Sequence, residues 1–209
     1  MQLRLAQLIA LLLLCTACSN AEDGRSLETT LAKIEASSSL TERLPLCPAK
    51  YYGKAGSRNR QYTSYEEECT DHPGKCLRLC ENGFGSYCHS LAYIVQEQFE
   101  KPDAYSHALF AASCAIGIPS GCTNRAAGMS PDDKHDYKFD LSDCLIQSYK
   151  LSCDDNEAWG CTMHGFELLE ANENNLLQAR ASFNKACAID PDFEACTAAK
   201  SLLGEDNPQ

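Results

Sequence analysis

The sequence predicts an all-α fold, a short solenoid of helix–turn–helix repeats stapled by disulfide bonds. Three observations predict it. One cysteine frame recurs. "CENGFGSYC" (Cys80 to Cys88), "CAIGIPSGC" (Cys114 to Cys122) and "CDDNEAWGC" (Cys153 to Cys161) each enclose seven residues, and "CAIDPDFEAC" (Cys187 to Cys196) encloses one more. The first cysteines of these frames are 34, 39 and 34 residues apart, within the period of helical repeat arrays. The surroundings also match. Phe110, Tyr149 and Phe183 stand four residues before the last three frames, and Ala108, Gln147 and Ala181 six before. The fourth residue after the second cysteine is Ala92, Ala126 or Gly165. Small residues let helices approach, and aromatics fill the gap between layers.

The chain opens on "MQLRLAQLIALLLLCTACSN", in which Arg4 is the only charge. The apolar run from Leu5 to Leu14 is too short for an ordinary membrane span and reads as an export signal over residues 1–17. Its end, with Ala17 before Cys18, resembles a bacterial lipobox, and Cys15 stands where an aliphatic residue is usual. The resemblance implies lipidation of Cys18. With Ser19 rather than Asp next, it implies an anchor in the outer membrane, facing the periplasm. Ordinary cleavage after "SNA", at Ala21, is the rival.

Residues 18–63 are expected to form a tether, a short helix and an irregular segment. The first residues after Cys18 are small and polar. "SLETTLAKIEA" then places Leu27, Leu31 and Ile34 on one helical face. "PLCPAKYYGKAGSRNRQY" follows and carries Lys50, Lys54, Arg58 and Arg60 among Tyr51, Tyr52 and Tyr62. It is either a loop packed on an acidic body or a contact surface.

Residues 64–209 are expected to hold the repeats. Two residues eight apart in one straight helix are about 12 Å apart, whereas a disulfide needs Cα atoms within about 7 Å. Each frame therefore spans a reversal. Its contents, "NGFG", "GIPSG", "DDNE" and "DPD", are turn and helix-start chemistry. The first cysteine ends one helix and the second opens the next. Outside the frames and the leader stand Cys47, Cys69, Cys76 and Cys144, which allow three pairings. The Pro-Gly turn in "CTDHPGKC" makes Cys69–Cys76 locally easy and leaves Cys47 for Cys144.

The second repeat is longer by five residues, and the excess falls at "SPDDKHDYKFDLSD", Ser130 to Asp143. Asp140 or Ser142 is positioned to cap the following helix. Insertions in solenoids emerge on one edge, often the binding edge. Tyr137 and Phe139 are candidate apolar anchors, and Asp132, Asp133 and Asp136 candidates for a basic partner. The bland alternative folds the aromatics back on the helices.

The composition bounds the function. Fourteen cysteines in 209 residues indicate an oxidising compartment. A net charge of −11 argues against nucleic acid as a partner and against adhesion to anionic lipid by charge. No cofactor motif is present. His72, His89, His107, His135 and His164 make no paired ligand motif, and no metal site is expected. "CLRLC", Cys76 to Cys80, could set two thiols on one helical face, but it lies among cysteines better used in disulfides.

"LAY" (Leu91 to Tyr93), "HGF" (His164 to Phe166), "FNKAC" (Phe183 to Cys187) and the seven-residue frame resemble the Sel-one-like repeat family, especially its cysteine-rich Hcp-type members. The resemblance covers about residues 64 to 205, although the family's "GxGV" loop is missing. It implies a right-handed, TPR-like α/α superhelix with a concave face that binds partners. It also implies two classes of function. One is a lipid-anchored binding module for a protein or peptide, as envelope scaffold or immunity protein. The other is a beta-lactamase-like protein acting on beta-lactams or peptidoglycan fragments. "SFNK", Ser182 to Lys185, fits the S-x-x-K pattern, but "SDC" at Ser142 is not "SDN" and no "KTG" exists. No catalytic residue is assigned, and the binding module is the preferred expectation.

Overall fold

A computed structural model describes residues 26–58, 60–98, 104–129, 137–192 and 194–203. Among them every regular element is a helix: α1 Leu27–Ala36, α2 Ser38–Thr41, α3 Glu66–Asp71, α4 Pro73–Glu81, α5 Gly85–Glu97, α6 Ala104–Ile116, α7 Pro119–Ala127, α8 Leu141–Asp154, α9 Ala158–Ala171, α10 Leu176–Ile189 and α11 Glu194–Leu203, with 3-10 turns at Pro48–Lys50 and Glu173–Asn175. No helix among the described residues is long and apolar enough to cross a membrane.

The stapled turns share one backbone solution. In the first frame the N–H of Gly83 bonds the Cys80 carbonyl and that of Phe84 the Leu79 carbonyl. Gly117 and Ile118 repeat this on Cys114 and Ser113, and Asn156 and Glu157 on Cys153 and Ser152. This is the Schellman ending, which needs a residue at positive φ. Gly83 has φ 87°, Gly117 has φ 106° and Asn156 has φ 62°. The residue after it caps the next helix, so the first cysteine falls one turn before the reversal and the second one turn after. Their Cα atoms come within 4.6, 4.6 and 4.3 Å and the disulfides Cys80–Cys88, Cys114–Cys122 and Cys153–Cys161 close. The fourth frame has an extra residue and loses this ending. Asp190 is extended, with φ −148°, and Cys187 still joins Cys196.

From α4 onward each helix packs chiefly on its neighbours in sequence, with additional contacts of α3 on α5, α7 on α9, α8 on α10 and α9 on α11. The repeat signature explains part of this packing. Phe110, Tyr149 and Phe183 are 2%, 1% and 0% exposed, and Ala92 and Ala126 are fully buried. A Cβ on Gly165 would stand 2.6 Å from the Phe183 ring. The position six residues before the frame behaves otherwise: Ala108 is buried, whereas Gln147 and Ala181 are exposed. Serines before two frames join successive repeats. Ser113 donates to the Gly85 carbonyl and Ser152 to that of Pro119, each at 3.0 Å.

The N-terminal segment is a strap along this array. The Ser26 hydroxyl accepts from Thr29 N–H to start α1, whose Ile34 is fully buried. Helix α1 packs on α4 and α6, α2 on α6, and the turn at Pro48–Lys50 on α6, α7 and α8. Cys47 is bonded to Cys144, 97 residues away, and Cys69 to Cys76. The basic aromatic stretch lies against the body. Tyr51 and Tyr52 are buried, and the Tyr52 hydroxyl and Arg58 both donate to Asp155. The strap meets the second stapled turn backbone to backbone. Gly53 and Ala55 donate to the Cys114 and Ala115 carbonyls, and Arg60 to that of Gly117. A Cβ on Gly117 would stand 1.8 Å from the Ser57 carbonyl oxygen, so only glycine fits on both counts. Arg125, fully buried in α7, donates to the Leu44 carbonyl at 2.7 Å.

Candidate functional site

The strap packs on α4, α6 and α8, which precede stapled turns, and on α7. The helices that follow the turns, α5, α7 and α9, are joined in series by side-chain hydrogen bonds. Asn124 of α7 donates toward His89 and to Tyr93 of α5, each at 3.2 Å. Thr123 of α7 donates to Glu157 at the start of α9 at 2.6 Å. Thr162 of α9 donates to the Ala195 carbonyl of α11 at 2.9 Å. His89, Thr123 and Thr162 each directly follow the second cysteine of a frame, so one repeat position makes each join.

Along this series runs an open cleft of about 630 Å³. Its walls come from four places. Helix α5 supplies His89 and Tyr93, the start of α7 supplies Pro119 and Ser120, the third stapled turn supplies Asp155 through Trp159, and the end of α10 supplies Ile189 and Asp190. Arg60, Gln61 and Tyr62 close one edge as the strap leaves. Tyr62 is held there by its hydroxyl, which donates to Glu66 at 2.9 Å and lies 3.1 Å from the Ser90 hydroxyl.

His89 is the hub of the floor. Its ring lies 4.2 Å from Tyr62, 4.9 Å from Tyr93 and 5.3 Å from Phe110, centroid to centroid. Burial lowers its pKa to about 3, so it is neutral at ordinary pH. Its Nδ1 meets the Ser120 backbone only at poor hydrogen-bond geometry, and the Ser120 hydroxyl is buried without a hydrogen-bond partner. Glu157 shapes one wall. Its carboxylate accepts from Thr123 and from the Trp159 and Gly160 N–H groups, capping α9. Burial nevertheless raises its pKa above the ordinary carboxylate value. The residues lining the cleft thus include three with aromatic rings, a neutral imidazole, three acidic residues and Arg60.

The insertion residues lie elsewhere. Tyr137 and Phe139 are half-buried, lie tilted with ring centroids 5.3 Å apart and pack in the cluster around Met129 and the Cys47–Cys144 bond. Asp140 caps α8 by accepting from the Asp143 N–H. Asp132, Asp133 and Asp136 lie outside the described residues, as does Cys18. Ser182 and Lys185 point to different partners. The Lys185 ammonium donates to the Cys153 carbonyl at 2.6 Å. The Ser182 hydroxyl lies within hydrogen-bond distance of the Gln178 carbonyl and 2.8 Å from His164 Nδ1. Which of the two accepts the serine proton is set by the His164 tautomer. Among the described residues, no group of three or more His, Cys, Asp or Glu is placed to hold a metal ion.

Sequence reasoning missed this cleft. The available signal was the constant offset from the frame: His89 one residue after a second cysteine, Trp159 two before one. Comparison with protein-family models, with curated proteins and with solved structures finds no match for this chain.

Proposed function

We propose that the chain is a binding module for a protein or peptide segment, which it takes in the cleft between α5, α7 and α9. The observation that carries the reading is the cleft itself: about 630 Å³, lined by Tyr62, Tyr93 and Trp159 and rimmed by charge. Aromatic anchors with a polar surround are what peptide and protein recognition uses. In this reading the helices stack as a right-handed, TPR-like superhelix of Sel-one-like repeats, with the cleft on its concave side. The stapled turns and their repeated Schellman endings support the repeat. The chain is held by lipid on Cys18 at the outer membrane, facing the periplasm; the apolar leader ending in "CTAC" and the six disulfides support export.

The test is capture of a partner by the full chain in a Gram-negative host, compared with Trp159→Ala and Tyr93→Ala variants of unchanged thermal stability. Loss of the captured partner in both variants supports the cleft. Retention in both removes it. Palmitate-analogue labelling that disappears in Cys18→Ser tests the anchor. Nitrocefin hydrolysis abolished by Ser182→Ala would move the chain to the enzymatic class.

A further inference from the structure

Resting on that reading, we propose that the cleft takes a cationic side chain, arginine or lysine, of an extended peptide. Five features point there. Tyr62, Tyr93 and Trp159 all contribute to the walls, and an aromatic face attracts a cation through its quadrupole. Asp155, Glu157 and Asp190 bring three carboxylates against a single lining guanidinium, that of Arg60. Arg58 from the strap pairs with Asp155, and the Glu157 carboxylate already accepts three hydrogen bonds, so the exposed Asp190 carries the least compensated charge. His89, 1% exposed, is neutral and adds no positive charge to oppose a cation. At the floor the Ser120 hydroxyl is left without a partner within the fold and is available to a ligand. The whole chain carries −11, so a basic segment is drawn toward it from a distance.

An anionic ligand fits less well. It would face Arg60, but also Glu157 and Asp190, with no second cation from the cleft walls to offset them. A purely apolar segment would leave those carboxylates desolvated without compensation.

Trp159 is the only tryptophan in the chain, so its fluorescence reports this cleft alone. The oxidised chain is titrated with three blocked tripeptides, acetyl-Gly-X-Gly-amide, in which X is arginine, citrulline or glutamate. Citrulline keeps the shape of arginine and removes its charge. The expected result is a saturable Trp159 change with the arginyl peptide in the millimolar range or below. The citrulline peptide should bind at least tenfold more weakly, and added salt should weaken the arginyl complex. Glu157→Gln and Asp190→Asn should each reduce arginyl affinity severalfold. Asp190→Asn carries the test if Glu157→Gln disturbs α9, since among the described residues the Asp190 side chain accepts only from the Asp192 N–H. Equal binding of arginine and citrulline overturns the cationic assignment and leaves the cleft reading intact. Preference for glutamate overturns it in favour of an anion. No response to any peptide overturns it as well, and the capture experiment with Trp159→Ala then decides the cleft separately.

Discussion

Replacing Cys47 and Cys144 together by alanine removes the covalent tie between the strap and α8 and leaves the frame disulfides in place. The bond joins residues 97 apart, whereas the frame bond Cys114–Cys122 joins residues 8 apart. Chain-entropy arithmetic gives about 4.7 kcal/mol for the longer closure and about 2.5 kcal/mol for the shorter. Staples inside the long loop shorten it, but the logarithm reduces its value by only about 0.2 kcal/mol. Both cysteines are buried, at 2% and 3% exposed, so the substitution also leaves a small cavity. Against a typical total of about 5–15 kcal/mol, the strap bond is a large share of stability. Guanidinium unfolding of the oxidised proteins, followed by circular dichroism, measures it. The Cys47→Ala/Cys144→Ala protein should lose about 2 kcal/mol more than Cys114→Ala/Cys122→Ala. An equal or smaller loss would refute the reasoning, because it would mean that the long closure does not restrict the unfolded chain.

Other perturbations read single features. His89 has a folded pKa near 3 against an ordinary 6.5. The unfolded chain therefore takes up the proton first, and stability falls as pH drops from about 6.5 toward 3, by at most about 1.4 kcal/mol per pH unit from this group. Unfolding free energies between pH 7 and 4 should show a shallower acid slope in His89→Phe. Gly165→Ala should cost about 1–3 kcal/mol, because the new methyl meets the Phe183 ring, and a cost below 0.5 kcal/mol would show that the ring yields. Asn156→Gly should raise stability by a few tenths to about 1 kcal/mol by relieving a left-handed backbone, as read by thermal melting.

The repeat was legible because its parts are local. A cysteine one turn before a reversal, a glycine at positive φ and a cysteine one turn after it lie within nine residues, and each leaves a mark in sequence. Even Asn156 is a readable substitute, since asparagine tolerates that conformation better than other residues. The strap was less legible. The Arg125 bond to the Leu44 carbonyl and the Tyr52 bond to Asp155 join residues 81 and 103 apart, and no periodicity announces them. Cys144 could be matched to Cys47 only after the other cysteines were assigned. The cleft fell between these cases. His89, Tyr93 and Trp159 read individually as core or surface residues. Their convergence depends on how one repeat is set against the next.

The strap bond also bears on how the chain matures. Five of the six disulfides join cysteines that are consecutive in the described chain. Cys47 breaks that order, because its partner Cys144 comes after six other cysteines. An oxidant that joined thiols strictly as they emerged would link Cys47 to Cys69, then Cys76 to Cys80, Cys88 to Cys114 and Cys122 to Cys144. Only the last two staples would be correct. The native set therefore requires either that Cys47 stay reduced until Cys144 is available, or that thiol–disulfide exchange rearrange the early bonds.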